Sequence, residues 1–114
     1  MNDCLFCKIA AGEIPSTKVY EDESVYAFRD IAPQAPVHVL VIPKKHVSGW
    51  YDAKDESDAQ LAQLMRAAAT VAKMEGIVDS GFRVVSNCGA HAKQTVKHLH
   101  LHALGGREME GQMA

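Results

Sequence analysis

The sequence predicts an α+β fold: an antiparallel sheet of about five strands with one main helix and one short N-terminal helix. Three observations lead there. Short runs rich in β-branched and aromatic residues recur with turn residues between them. Residues 57–75 carry apolar side chains at helical spacing, and near the C-terminus histidines alternate with apolar residues. At 114 residues the chain suits one hydrophobic core, so residues 1–114 are expected to form a single domain.

Residues 3–11 read as the short helix, with Asp3 as N-cap, Leu5, Phe6 and Ile9 as its apolar side and Gly12 as the stop. Residues 18–20 and 24–28 form two β-rich runs around an acidic turn, the pattern of a hairpin. Pro33 and Pro36 bound a loop. Residues 37–42 are almost wholly apolar, as a central strand requires, and Pro43 ends them. In residues 57–75, Ser57 and Gln60 make a capping box, and Leu61, Leu64, Met65, Ala68, Val71 and Ala72 trace an apolar stripe that stops at Gly76. Residues 82–86 form the next strand. A turn at Asn87-Cys88-Gly89 and a polar loop then lead to a last strand over residues 95–104, which Gly105-Gly106 ends.

Composition narrows the function. A net charge of −2 gives no general electrostatic reason to bind nucleic acid polymers or anionic membranes. No apolar run approaches the roughly 20 residues that span a bilayer. The N-terminus lacks the basic start and long apolar stretch of a signal peptide, which points to a cytoplasmic protein. Three cysteines are an odd count for a disulfide scaffold. Cys4 and Cys7 form a C-x-x-C pair, compatible with a redox couple, half of a metal site or two small residues packed on a helix.

The chemistry concentrates in Lys97-His98-Leu99-His100-Leu101-His102-Ala103-Leu104. In a strand this spacing puts His98, His100 and His102 in one row and turns Leu99, Leu101 and Ala103 to the opposite face, against a core. Imidazoles in such a row suit metal ligation, proton transfer, nucleophilic attack or phosphate binding. A three-histidine metal site is one reading of the row. A closed set of Cys4, Cys7 and one or two histidines is another, and would make the metal structural. The loop from Asn87 to Thr95 offers carboxamides, a hydroxyl and backbone N–H groups that suit a phosphate. Asp30 stands at a strand end, where an acid binds ribose hydroxyls or caps a turn. His38 lies inside an apolar strand.

With these residues in hand, the chain resembles the histidine-triad (HIT) superfamily, whose His-x-His-x-His motif with apolar x positions is met at every position. The resemblance extends to Phe28-Arg29-Asp30-Ile31-Ala32-Pro33-Gln34-Ala35-Pro36-Val37-His38, Val41-Ile42-Pro43-Lys44-Lys45-His46, Asn87-x-Gly89, Gln94-Thr95-Val96 and Leu104-Gly105-Gly106-Arg107. It is nearest to the Hint branch, the purine nucleoside phosphoramidases. The resemblance implies a homodimeric nucleotide-binding hydrolase of purine nucleoside 5′-phosphoramidates or acyl-nucleotides. His100 would be the nucleophile of a nucleotidyl-histidine intermediate, with His102, His38 and Thr95 as further catalytic residues. Leu5, Phe6, Ile9, Phe28 and Ile31 would form the purine slot, Asp30 would hold the ribose, and Asn87, Gln94, Thr95, His100 and His102 would surround the phosphate. It further implies a structural zinc on Cys4, Cys7, His46 and His98 that the chemical step does not need.

Two departures from the branch stand out: Lys93 where glycine is usual, and a tail from Glu108 to Ala114 without the Trp-Pro-Pro-Gly ending. Other readings are a zinc-stabilised nucleotide- or partner-binding module with weak catalysis, and a dinucleoside polyphosphate hydrolase.

Overall fold

The computed structural model describes residues 3–111; the end of the atypical tail, 112–114, lies outside them. The elements, in order, are α1 (Leu5–Ala10), β1 (Lys18–Glu21), β2 (Val25–Arg29), β3 (Val37–Pro43), a 3-10 turn (Tyr51–Asp55), α2 (Asp58–Met74), β4 (Phe82–Val85) and β5 (Leu101–Gly105). The five strands form one antiparallel sheet in the order β1-β2-β3-β5-β4.

Strand alternation divides the side chains between two layers. One face sends Val25, Ala27, Val39, Val41 and Leu101 against Leu64, Ala67, Ala68 and Val71 of α2. The other sends Tyr26, Phe28, Leu40 and Ile42 against Phe6 and Ile9 of α1. Register aligns each face across the sheet: Phe28 pairs with Leu40, Leu40 with His102, and His102 with Val85. The histidine face is therefore the α1 face.

The main helix forms as its sequence dictates. Ser57 Oγ accepts from the Gln60 N–H, and the Gln60 side chain accepts from the Ser57 N–H. Asp22 ties the first hairpin to this helix, accepting from the Val25 N–H, Tyr20 Oη and Gln63 Nε2. Arg29 makes a two-pronged ion pair with Glu75 at the far end.

Two expectations change. Helix α1 is shorter than residues 3–11, and its N-cap is Cys4, not Asp3; the Cys4 Sγ accepts from the Cys7 N–H. The last strand enters the ladder only at Leu101, because the backbone upstream is bonded elsewhere: the Leu99 N–H donates to the Val47 carbonyl and Ser86 Oγ donates to the His100 carbonyl. The alternation nevertheless persists upstream, with Leu99 in the α2 core. Between β3 and α2, Trp50 caps the 3-10 turn and packs on the α2 core.

Gly105 ends β5 beneath Ile77, where an added Cβ would stand 2.8 Å from Ile77 Cδ1. Gly105→Ala is expected to cost about 1–3 kcal/mol through overpacking. Adding Ile77→Val, which removes that Cδ1, should recover part of the loss. Urea denaturation of the single and double variants measures the coupling.

Candidate functional site

The three histidines of the row occupy different environments. His98 is fully buried and His100 is 5% exposed. His102 is half-buried, its ring 5.0 Å from that of His100 between centroids. Hydrogen bonds assign one proton to each neutral ring. His98 Nε2 lies 2.8 Å from the Pro43 carbonyl oxygen, which can only accept, so Nε2 carries the hydrogen and Nδ1 holds the lone pair. His100 Nδ1 lies 2.7 Å from the His98 carbonyl oxygen and donates to it, leaving Nε2 as the lone-pair nitrogen.

His102 is set by a longer chain. The Gln34 N–H donates to His38 Nδ1 at 3.0 Å, which places the His38 hydrogen on Nε2. His38 Nε2 in turn donates to His102 Nδ1 at 2.9 Å. The His102 hydrogen is therefore on Nε2, available to an acceptor from outside. Asp30 Oδ2 stands 3.4 Å from His38 Nε2, while Asp30 Oδ1 caps its own turn by accepting from the Ala32 N–H. Burial pushes the imidazolium pKa of His38 down, against a smaller upward pull from Asp30. Burial, aided by His100 and His38, pushes that of His102 down to about 4. Both rings are neutral at pH 7.

His98 reaches the cysteine pair with its lone-pair nitrogen. Nδ1 lies 3.2 Å from Cys4 Sγ and 3.4 Å from Cys7 Sγ, and His46 Nδ1 lies 3.3 Å from Cys7 Sγ. All four ligand atoms fall within 4.8 Å of one another. A tetrahedral zinc with ordinary Zn–S and Zn–N bonds requires ligand separations of roughly 3.3–3.8 Å. The donor set and spacing fit that ion, and the His98–Pro43 bond supplies the outer hydrogen bond that orients a ligating imidazole.

Beside the row lies a slot of about 300 Å³ lined by Leu5, Phe6, Ile9, Phe28, Leu40 and Val96, with Asp30, Ile31, Thr95, His100 and His102 at its edges. Phe6 packs edge-on against both Phe28 and His100, 5.5 and 5.1 Å between centroids. Leu5 is exposed and Ile31 is fully so, which puts them at the mouth of the slot, not in its floor. The arrangement offers an apolar cleft, a carboxylate, a His100 ring nitrogen (Nε2) opposite the one held by the His98 carbonyl, and a neutral N–H donor within one site.

The loop residues divide. Asn87 lines a neighbouring cavity with His102, whereas Thr95 is on the slot. The Gln94 amide is committed to backbone: Oε1 accepts from the Gly89 N–H, and Nε2 donates to the Ser48 and Val96 carbonyls. It braces the loop. Lys93 holds φ at +65°, so this chain keeps the left-handed backbone with a side chain that disfavours it. Sequence reasoning missed Pro43, Ser86 and Gln34, whose backbone or hydroxyl groups orient the histidines; nothing in their residue types signals the role.

Comparison with known proteins is consistent with this geometry. The HIT domain family model matches residues 11–109. The chain is 42% identical over 112 residues to the purine nucleoside phosphoramidase of Escherichia coli strain K12, covering 98% of this chain and 94% of that one. It is 50% identical over 109 residues to a 14 kDa zinc-binding protein of Brassica juncea, covering 94% and 96%. The crystal structure of a HIT family hydrolase from Legionella pneumophila superposes with a TM-score of 0.94 at 48% identity, covering 98% of this chain and all of that one.

The depressed imidazoles give a signed pH dependence. Well above pH 6.5 His38 and His102 are neutral whether folded or unfolded. As pH falls from 6.5 towards 4 the unfolded chain takes up protons that the folded His102 refuses, and stability is lost across that window. The thermal midpoint of His102→Gln should fall less over the same window than that of the wild type.

Proposed function

The chain belongs to the HIT domain family, and from that premise we propose that it hydrolyses purine nucleoside 5′-phosphoramidates to the nucleoside monophosphate through a covalent intermediate on His100. One observation carries the reading. The His100 Nδ1–H is fixed on the His98 carbonyl, so the in-plane lone pair of Nε2 belongs to a buried ring that also lines the slot.

The purine lies in the slot between Phe6, Ile9, Phe28 and Leu40, with Leu5 and Ile31 closing its mouth and Asp30 accepting from the ribose hydroxyls. The α-phosphate then sits between His100 and His102. His100 Nε2 attacks phosphorus, the P–N bond breaks, and the amine departs with a proton from solvent. The ring, retaining its Nδ1 hydrogen on the His98 carbonyl, becomes a nucleotidyl-imidazolium. Water attacks the same phosphorus, the P–Nε2 bond breaks, and the monophosphate leaves. Dividing one displacement in two lowers each barrier.

His102 is a hydrogen-bond donor to the phosphate, not a general acid, because a neutral imidazole gives up its last proton far too reluctantly. His38 keeps that donor in place. Asn87 and the Thr95 hydroxyl bind the phosphate and the departing nitrogen, and Gln94 acts by bracing the loop that carries them. Cys4, Cys7, His46 and His98 would hold a zinc as a structural ion: four protein ligands would leave it no open position, and it would anchor α1, one wall of the slot.

The outer edge of β4, with Phe82 and Val84 each 37% exposed, suits pairing with a second copy. A homodimer is proposed on that basis. Among the described residues no helix is long and apolar enough to cross a membrane. Thiolate ligands at Cys4 and Cys7 suit a reducing, cytoplasmic compartment.

With a fluorogenic adenosine phosphoramidate, His100→Ala is expected to lower kcat by at least about 10³-fold while adenosine monophosphate still binds. Wild-type protein that binds the monophosphate but turns over no phosphoramidate would reassign the chain to the binding-module class. Cys4→Ser/Cys7→Ser is expected to lose stoichiometric zinc and several kcal/mol of stability. The folded remainder should retain kcat with a raised KM; collapse of kcat in protein shown to be folded would make the metal part of the chemistry.

A further inference from the structure

The slot shares His102 with a second cavity of about 400 Å³, which Asn87, Arg83 and Arg107 also line. The register explains how Arg83 gets there. Arg83 pairs with Leu104 and Val85 with His102, so Arg83 projects from β4 on the histidine face, one strand repeat beyond His102. Arg107 enters from the end of β5, past the turn at Gly106, whose φ is +92°.

Both guanidiniums are held by carbonyls. Arg83 Nη2 donates to the Glu110 carbonyl at 2.8 Å; Arg107 donates to the Gln34 carbonyl at 3.1 Å and the Glu108 carbonyl at 2.9 Å. Carbonyls fix a guanidinium without neutralising it. Among the described residues, the ion pairs occupy other cations, and neither Arg83 nor Arg107 has a carboxylate within 4 Å. Glu110 is the acid on the cavity wall, against two arginines, while His38 and His102 are neutral there. The cavity therefore carries net positive charge and donor groups aimed from fixed positions, the arrangement that recognises carboxylates and similar anions.

We propose that this cavity is the leaving-group subsite and that Arg83 and Arg107 select leaving groups carrying an anionic substituent, such as an amine that bears a carboxylate. The inference rests on the phosphoramidase reading. A phosphate held between His100 and His102 has the nucleoside in the slot, and the substituent beyond the departing nitrogen passes His102 into the second cavity.

The test uses two adenosine phosphoramidates that differ only in charge: that of alanine through its amino group, and that of alanine methyl ester. Release of adenosine monophosphate gives kcat/KM for each. The wild type should favour the free acid by about tenfold or more, the equivalent of about 1.4 kcal/mol. Arg83→Gln/Arg107→Gln should bring the ratio near one, and Arg83→Lys/Arg107→Lys should keep most of it.

Because the ratio is internal to each sample, partial misfolding cancels. If the variants do not fold, the wild-type ratio and its decline with added salt decide. Equal rates for the two substrates in the wild type overturn the subsite and leave the phosphoramidase reading intact. Absence of turnover for both overturns that reading and the subsite with it. A preference that survives in the glutamine variant, with dimer dissociation in sedimentation, makes the arginines interface residues and also overturns the subsite.

Discussion

The bond from His100 Nδ1 to the His98 carbonyl, together with the bond from His98 Nε2 to the Pro43 carbonyl, sets what each ring of the row can do. A neutral imidazole has one hydrogen and one lone pair, and a backbone acceptor on one nitrogen decides which is which. At His98 the lone pair faces the two cysteines; at His100 it faces away from the carbonyl that holds its proton. His98 takes part in both bonds, as donor through its ring and as acceptor through its backbone. The late start of β5 follows from the same constraint. The backbone of residues 98–100 is engaged with Val47, Val96 and Ser86, outside the ladder.

Much of this was legible in the sequence, and the reasons are local. Period-two alternation separates Leu99, Leu101 and Ala103 from the histidines even where no ladder exists, because burial of one face does not need strand pairing. Ser57 and Gln60 announce the main helix through side chains that satisfy its first N–H groups. The metal set was reached through resemblance, since C-x-x-C and scattered histidines admit several readings alone. What stayed hidden acts through groups every residue possesses. The carbonyls of Pro43 and His98 and the N–H of Gln34 leave no mark in residue type. Gln94 shows the converse: its amide looks like a ligand donor in sequence, but in the fold it is spent on Gly89, Ser48 and Val96. Arg83 and Arg107 meet only because β4 and the end of β5 are neighbours.

Helix α1 is the element that the proposed structural metal would hold. Six residues are too few for a helix to stand alone in water. Yet Phe6 and Ile9 on that helix form one wall of the slot, and Phe6 packs edge-on against His100. Its apolar contacts and the link from Cys4 and Cys7 to His46 and His98 hold it in place. The candidate metal ligands and His100 are thus joined twice, through the His98 backbone and through α1. Neither link needs a metal to touch a reacting atom, so under the proposed function loss of zinc should act first on the shape of the slot.

The neutrality of His102 bears on the intermediate proposed above. In that reaction, attack through Nε2 would leave the His100 ring cationic, because its Nδ1 hydrogen stays on the carbonyl. A protonated His102 with its ring centre 5.0 Å away would oppose that charge. Burial, the His100 ring and the His38 ring all lower the proton affinity of His102, which leaves it an uncharged donor near neutral pH. His38 can hold it there because Gln34 keeps His38 in the matching tautomer. Asp30 stands 3.4 Å from His38 Nε2 and lies on the edge of the slot. Under the proposed function its carboxylate would serve both sugar recognition and the histidine chain, which would put recognition of the nucleoside and orientation of the phosphate donor on one side chain.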